Sequence, residues 1–140
     1  MRAPDARTLD RRLTALVDAA RDAQTRAIAP YSNFAVGAAL LLDDGAIVTG
    51  CNVENATYGL TVCAERVALL KALSDGHRRF TAIAVTAATS RPTPPCGACR
   101  QLLWEFCGDI PVIMANATEI TMRTTLGALF PEPFGPANLQ

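Results

Sequence analysis

The sequence predicts an α/β fold, a mixed sheet of about five strands with helices on both of its faces. Three observations predict it. Helix-like and strand-like segments alternate along the chain. The strand-like segments are short and almost wholly apolar, as strands covered on both faces are. Turn residues (Gly, Pro, Asp) mark the boundaries between segments. With 140 residues, half of them hydrophobic and 19% charged, the chain suits one domain over 1–140, large enough to bury a core without disulfide staples.

The elements follow in order. From Thr8 the apolar positions Leu9, Leu13, Leu16, Val17, Ala20, Ala23 and Ala27 recur at steps of three and four, which predicts a long amphipathic helix. Thr8 is its expected N-cap and Pro30 its far limit. Two apolar runs come next, FAVGAALLL (34–42) and AIVTGCNV (46–53), joined by Asp43-Asp44-Gly45. An aspartate–glycine turn between such runs predicts a hairpin. Residues 63–75 read as a helix stopping near Gly76, and FTAIAVTAA (80–88) as a buried strand. A proline-rich turn leads to a helix over about 97–107 and the strand IPVIMAN (110–116). EITMRTTLGALF (119–130) reads as a short strand then a short helix, and PEPFGPANLQ (131–140) as an extended tail or docking arm.

Thirteen basic residues balance thirteen acidic ones. The twelve arginines and one lysine are scattered, with doublets only at Arg11-Arg12 and Arg78-Arg79. No basic stripe is there to neutralise a polynucleotide backbone, so nucleic acid is not an expected partner. Residues 1–12 carry charges where a signal peptide needs an apolar run, and no apolar stretch reaches the ~20 residues that cross a bilayer. No membrane partner is expected, and the expected location is the cytoplasm, where thiols stay reduced. Five cysteines in that setting point to metal or catalysis and away from a disulfide framework.

Cys96 and Cys99 form C-G-A-C, and Cys63 lies upstream in V-C-A-E. A C-x-x-C taken alone serves either redox chemistry or zinc. Pro94 and Pro95 suit entry into a helix, so Cys96 and Cys99 fall in a first turn, where residues three apart share a face. Cys63 falls at the start of its own helix. Exposed N–H groups at both helix N-termini favour thiolate over thiol. Three thiolates converging there make a tetrahedral zinc site with one open position, the mark of a catalytic zinc. Cys51 and Cys107 have no partner at ligand spacing and read as small buried hydrophobes. His77, beside Gly76 in a polar turn, reads as surface.

Glu65 follows Cys63 by two residues. A first-turn carboxylate is ordinary helix chemistry, favourable to the dipole and to capping. Beside an open zinc it has a second use. Zinc lowers the pKa of a bound water to about 7, and a general base removes and redelivers the proton.

These residues resemble a known family, the small zinc-dependent homotetrameric cytidine deaminases, whose wider class carries an H-x-E…P-C-x-x-C signature with a non-ligand glutamate. This chain reads C-A-E…P-C-G-A-C, with cysteine at the histidine position as in the tetrameric branch. The match runs from APYSNFAVGAALL through GCNVENATYGLTVCAERVAL to PPCGACRQLL, and more weakly to LFPEPF. The resemblance implies a three-layer α/β/α fold and one Zn2+ per chain held by Cys63, Cys96 and Cys99, with Glu65 moving protons. It implies that Asn52 and Glu54 hydrogen-bond the ribose, that Phe34 packs on the pyrimidine, and that Ala64 offers its N–H to the base carbonyl. Tyr58 and Phe134 match positions that reach a neighbouring subunit's site within a homotetramer. Arg66 matches an arginine that hydrogen-bonds the thiolates; zinc with three thiolates carries one net negative charge, which a guanidinium offsets. From the residues alone, N-V-E-N is a strand-end turn, Phe34 core packing and Arg66 helix surface.

The implied reaction is hydrolytic deamination of cytidine and 2′-deoxycytidine to the uridines with release of ammonia, a step of pyrimidine salvage. Three rivals share parts of the pattern. A blasticidin-type aminohydrolase has the zinc scheme but differs at the ribose segment and at the arginine after C-A-E. A polynucleotide-editing deaminase is opposed by zero net charge and the short chain. A structural zinc or redox module is opposed by Glu65 beside the open position.

Overall fold

The computed structural model describes residues 5–140. Its elements are α1 (Ala6–Gln24), β1 (Val36–Leu42), β2 (Ile47–Cys51), a 3-10 turn (Tyr58–Leu60), α2 (Ala64–Ser74), β3 (Phe80–Ala87), α3 (Gly97–Cys107), β4 (Pro111–Ala115), β5 (Ile120–Thr125), α4 (Leu126–Leu129) and a second 3-10 turn (Pro136–Leu139). The strands form one sheet in the order β2-β1-β3-β4-β5. β1 pairs antiparallel with both β2 and β3. β4 runs parallel to β3, and β5 returns antiparallel along β4. The sheet is mixed and five-stranded, as expected.

Alternation along each strand builds two cores from one sheet. Ala38, Leu40, Leu42, Ile83, Val112 and Met114 point one way, onto Ala64, Ala68, Leu69 and Ala72 of α2 and Leu103 of α3. Ala39, Leu41, Ala82, Ala84, Ile113 and Ala115 point the other way, onto Leu16, Val17 and Ala20 of α1. Both faces are covered, which is why the strand runs are apolar throughout.

Two boundaries differ from the sequence reading. Asp5, not Thr8, caps α1: its Oδ1 accepts the Thr8 N–H at 2.8 Å. Thr8 therefore sits one turn inside the helix, and the upstream aspartate satisfies its otherwise orphaned donor. The same helix stops at Gln24, well short of Pro30. A tertiary pairing ends it, because the Ile28 N–H donates to the Asn52 carbonyl at 3.0 Å and the Glu54 N–H to the Ile28 carbonyl at 2.8 Å. The C-terminal segment docks on its own chain, with Gln101 Nε2 of α3 donating to the Phe134 carbonyl at 2.8 Å.

Two glycines set how closely helices approach the sheet. A Cβ on Gly37 of β1 would lie 2.0 Å from the Ala20 carbonyl oxygen of α1. One on Gly50 of β2 would lie 2.5 Å from the Ala64 carbonyl oxygen and 2.6 Å from the Ala68 nitrogen of α2. Only a residue without a side chain permits either approach. The stripe Ala64, Ala68, Ala72, at i,i+4 spacing, keeps α2 thin on the same side. The start of α2 is thereby pressed against the end of β2.

Candidate active site

Past β2 the chain runs through Asn52, Val53 and Glu54, held by Ile28 on one side and Val62 on the other. Two helices start beside this segment. Cys63 is the N-cap of α2 and Cys96 the N-cap of α3, and neither uses its side chain as a cap. Both sulfurs are left free to meet. Cys63 Sγ lies 3.9 Å from Cys96 Sγ, Cys96 Sγ 3.4 Å from Cys99 Sγ, and the three fall within 4.8 Å of one another. Sulfurs at tetrahedral corners, 2.3 Å from a common zinc, would stand about 3.8 Å apart. The donor set fits zinc in both chemistry and spacing. Among the described residues the cluster has three members, so a fourth corner is left for a non-protein group. His77 is half-buried beyond the far end of α2, and an eleven-residue helix is about 16 Å long.

One of the thiols, that of Cys63, already leans towards charge. Cys63 is pulled down to about 5, first by the Cys99 thiol donating to it and then by Arg66. The same contact pushes Cys99 up: two thiols sharing a proton hold one anion, which opposes a second. A divalent cation removes that opposition and deprotonates its thiol ligands. Arg66 stands at this charge, with Nη2 3.5 Å from Cys63 Sγ and 3.2 Å from the Thr61 carbonyl. Its Nε is buried with no hydrogen-bond partner among the described residues. Arg66 is half-buried and its guanidinium faces the Cys63 sulfur, so it is not on the open helix surface.

Glu65 is 5% exposed in the first turn of α2. Burial, which penalises its charged form, pushes the carboxyl up to about 7. A cavity of about 290 Å³ brings it together with Cys63, Cys96, Phe34, Asn52, Glu54 and Ala64, the scale of a small-ligand pocket. Ala64 is the first residue of α2, where the N–H has no intrahelical acceptor.

Asn52 and Glu54 line this cavity while also holding its walls. Asn52 is 7% exposed; its Nδ2 donates to the Phe34 carbonyl at 2.8 Å and its Oδ1 accepts the Val36 N–H at 2.9 Å. Glu54 accepts the Tyr31 and Ser32 N–H groups at 3.0 and 3.1 Å and the Ser32 hydroxyl. The Ser32 hydroxyl first, and then the backbone donors, hold its carboxyl below the usual range. Phe34 is not core: its side chain is exposed at the cavity wall. Tyr58 is exposed and makes an edge-to-face contact with Tyr31, ring centres 5.3 Å apart. Those two rings, with Ser32, Glu54 and Thr61, bound an adjoining cavity at the mouth. Phe134 lies elsewhere, exposed beside α3 with Gln101 and Glu105. Cys51 and Cys107 are half-buried, and burial pushes the Cys107 thiol up to about 12.

Sequence reasoning passed over Ser32, Thr61 and Thr93, which also line the cavity. Thr93 was readable from its place in T-P-P-C. The partnership of Ser32 with Glu54, 22 residues away, leaves no mark in the sequence.

The model of one protein family, the cytidine and deoxycytidylate deaminase zinc-binding region, matches residues 10–115. A cytidine deaminase of Halalkalibacterium halodurans is 50% identical over 127 residues, 90% of this chain and 95% of that protein. The crystal structure of cytidine deaminase from Burkholderia pseudomallei superposes with a TM-score of 0.82 at 50% identity, covering 86% of this chain and 98% of that one. A blasticidin-S deaminase of Bacillus cereus is more distant, 33% identical over 104 residues, 69% of this chain and 74% of that protein.

Proposed function

The chain belongs to the cytidine and deoxycytidylate deaminase family, and from that membership we infer how its cavity divides the work. Its reaction is hydrolytic deamination of cytidine to uridine, with ammonia released. Zinc is the cofactor, and Cys63, Cys96 and Cys99 are its assigned ligands. When bound, zinc supplies the Lewis acidity that brings the pKa of a water to about 7.

The remaining steps fall to side chains. Phe34 packs on the pyrimidine, the Ala64 N–H donates to the base carbonyl, and at the ribose the Glu54 carboxylate accepts and the Asn52 amide donates, with the capacity their wall contacts leave. Glu65 takes one proton from the attacking water and hands it to N3 as the oxygen adds at C4. It then takes the remaining proton from the new C4 hydroxyl and delivers it to the amine as the C4–N bond breaks and the C4 carbonyl forms. One buried carboxyl serves as base and then acid, which requires a pKa near the working pH. The observation that carries this reading is the three-sulfur set of Cys63, Cys96 and Cys99, two of whose members, Cys63 and Cys96, line one cavity with Glu65. 2′-Deoxycytidine is a second substrate in the proposal, because a pocket for the whole nucleoside grips base and sugar together.

Ultraviolet monitoring of purified protein tests the assignment, with zinc counted per chain and cytidine, 2′-deoxycytidine and blasticidin S offered separately. Conversion of both nucleosides with blasticidin S untouched is the expected result. Preference for blasticidin S overturns the substrate assignment.

Arg66 offsets the surplus charge of the thiolates in this scheme. Arg66→Gln is expected to raise the apparent pKa of the acid limb of kcat/KM. An unchanged pH–rate profile with zinc still bound counts against that role.

A homotetramer in the cytoplasm completes the proposal, with Tyr58 and Phe134 serving a neighbour's cavity. Exposed Ile28, Tyr31, Val53, Tyr58 and Leu60 lie on the segments around the cavity mouth, and an apolar surface of that kind favours association. No helix among the described residues is long and apolar enough to cross a membrane. Light scattering at micromolar concentration is expected to give four times the chain mass, and a monomer would sink the shared-site assignment.

A further inference from the structure

Three polar residues are buried among the described ones: Asn52, Glu65 and Thr86. The first two line the cavity. Thr86 sits in β3 and is 0% exposed, so its hydroxyl needs a partner. It donates to Gln24 Oε1 at 3.0 Å, and Gln24 Nε2 donates onward to the Ala35 carbonyl at 3.2 Å. A chain of two hydrogen bonds therefore runs from the middle of the sheet, through the last residue of α1, to the backbone beside Phe34.

Asn52 grips the same backbone from the other side, at the Phe34 carbonyl and the Val36 N–H. The Phe34 N–H donates to Ser32 Oγ at 3.1 Å. Residues 34 to 36 are thus held by side chains from three directions. The need for such holding is visible in Phe34, whose side chain is 39% exposed and gains little orientation from burial. Asn33, just before it, has φ of 56°, a left-handed turn that asparagine adopts more readily than most residues and that sets the direction in which the chain enters Phe34. The absence of a side chain at Gly37, where a Cβ would meet the Gln24 nitrogen at 2.6 Å, lets the end of α1 sit directly against β1.

We propose that Gln24 and Thr86 are positioning residues that set the aromatic wall of the cavity, governing nucleoside binding without touching the nucleoside. This rests on the reading of Phe34 as the surface against which the base packs. A buried hydroxyl kept only for stability is replaceable by an isosteric methyl at little cost when its partner is replaced too. A positioning relay is not, because losing either member releases Ala35.

The test uses zinc-loaded full-length protein and four single variants, Gln24→Met, Thr86→Val, Thr86→Ser and Phe34→Leu, with the double variant Gln24→Met/Phe34→Leu. Loss of one hydrogen bond from the relay is expected to raise KM for cytidine about three- to tenfold in Gln24→Met and Thr86→Val, with kcat changed by less than about twofold. Zinc stays at one ion per chain. Thr86→Ser, which keeps the hydroxyl, is expected to hold KM near the parent value. In the Phe34→Leu background Gln24→Met is expected to add nothing, since the wall it orients is gone. If Thr86→Val fails to fold, the half-exposed Gln24→Met decides the matter.

The proposal is overturned if Phe34→Leu raises KM while Gln24→Met leaves it unchanged, or if the two effects simply add. It is overturned equally if the relay variants lower kcat and leave KM alone. Should Phe34→Leu itself leave KM unchanged, the reading of Phe34 as the base-packing wall fails first, and is identified as the cause.

Discussion

Glu65→Gln is expected to leave one zinc per chain and to lower kcat by about a thousandfold, within the range that positioned proton transfer contributes. The substitution keeps shape and volume but removes the carboxylate that accepts the proton. Glu65 is 5% exposed, lies two residues from Cys63 and shares the cavity with Cys63 and Cys96. Burial holds its carboxyl at about 7, so both protonation states are accessible near neutrality, as a group that takes and returns a proton requires. An amide there is still packed, still buried and chemically inert. Metal analysis beside an ultraviolet assay separates the two quantities. A variant with full zinc and kcat within tenfold of the parent would remove Glu65 from the mechanism.

Cys99→Ala is expected to act on the other half of the site, stripping zinc and taking turnover to background together. Zinc held by four ligands is bound with roughly 10–16 kcal/mol, so one ligand carries about 3–4 kcal/mol, or roughly 10²–10³-fold in affinity. The loss is sharper here because the protein offers three sulfurs to begin with, and two leave zinc below its usual complement of protein ligands. Cys99 is 0% exposed at the start of α3, so no nearby side chain can swing in from solvent to replace it. Zinc counted after dialysis against a mild chelator is the readout. Cys107→Ala is the control: that thiol, raised to about 12 by burial, is packing, and its loss should spare the metal. Retention of one zinc per chain by Cys99→Ala would overturn the ligand set.

The residues announce some of this and conceal the rest, for reasons that can be named. The sheet was legible because its strands are continuous apolar runs, and continuous runs arise when both faces are covered. The cysteine trio was legible because helix boundaries are marked in sequence, by Pro94 and Pro95 before Cys96 and by Gly76 at the far end of the helix that Cys63 begins. The beginning of α1 was misread because Asp5 and Thr8 are both good caps, and which N–H is satisfied first is a matter of geometry. Its end was misread because the pairing of Ile28 with Asn52 and Glu54 is long-range, and no local propensity encodes it. The same holds inside the cavity. Asn52 and Glu54 resemble sugar-binding residues, yet nothing in N-V-E-N discloses that they also fasten Phe34, Val36 and Ser32 in place.

Gly50 bears on how this pocket can be reshaped. The close approach it allows to the Ala64 carbonyl and the Ala68 nitrogen mortises α2 to β2, so Asn52 and Glu54 beyond β2 and Glu65 in α2 travel as a single block. Room for a bulkier base has to be found on the opposite bank, at Thr93 and Pro94, in a stretch that carries neither helix nor strand. Engineering of substrate range therefore starts from that loop and leaves the mortise untouched.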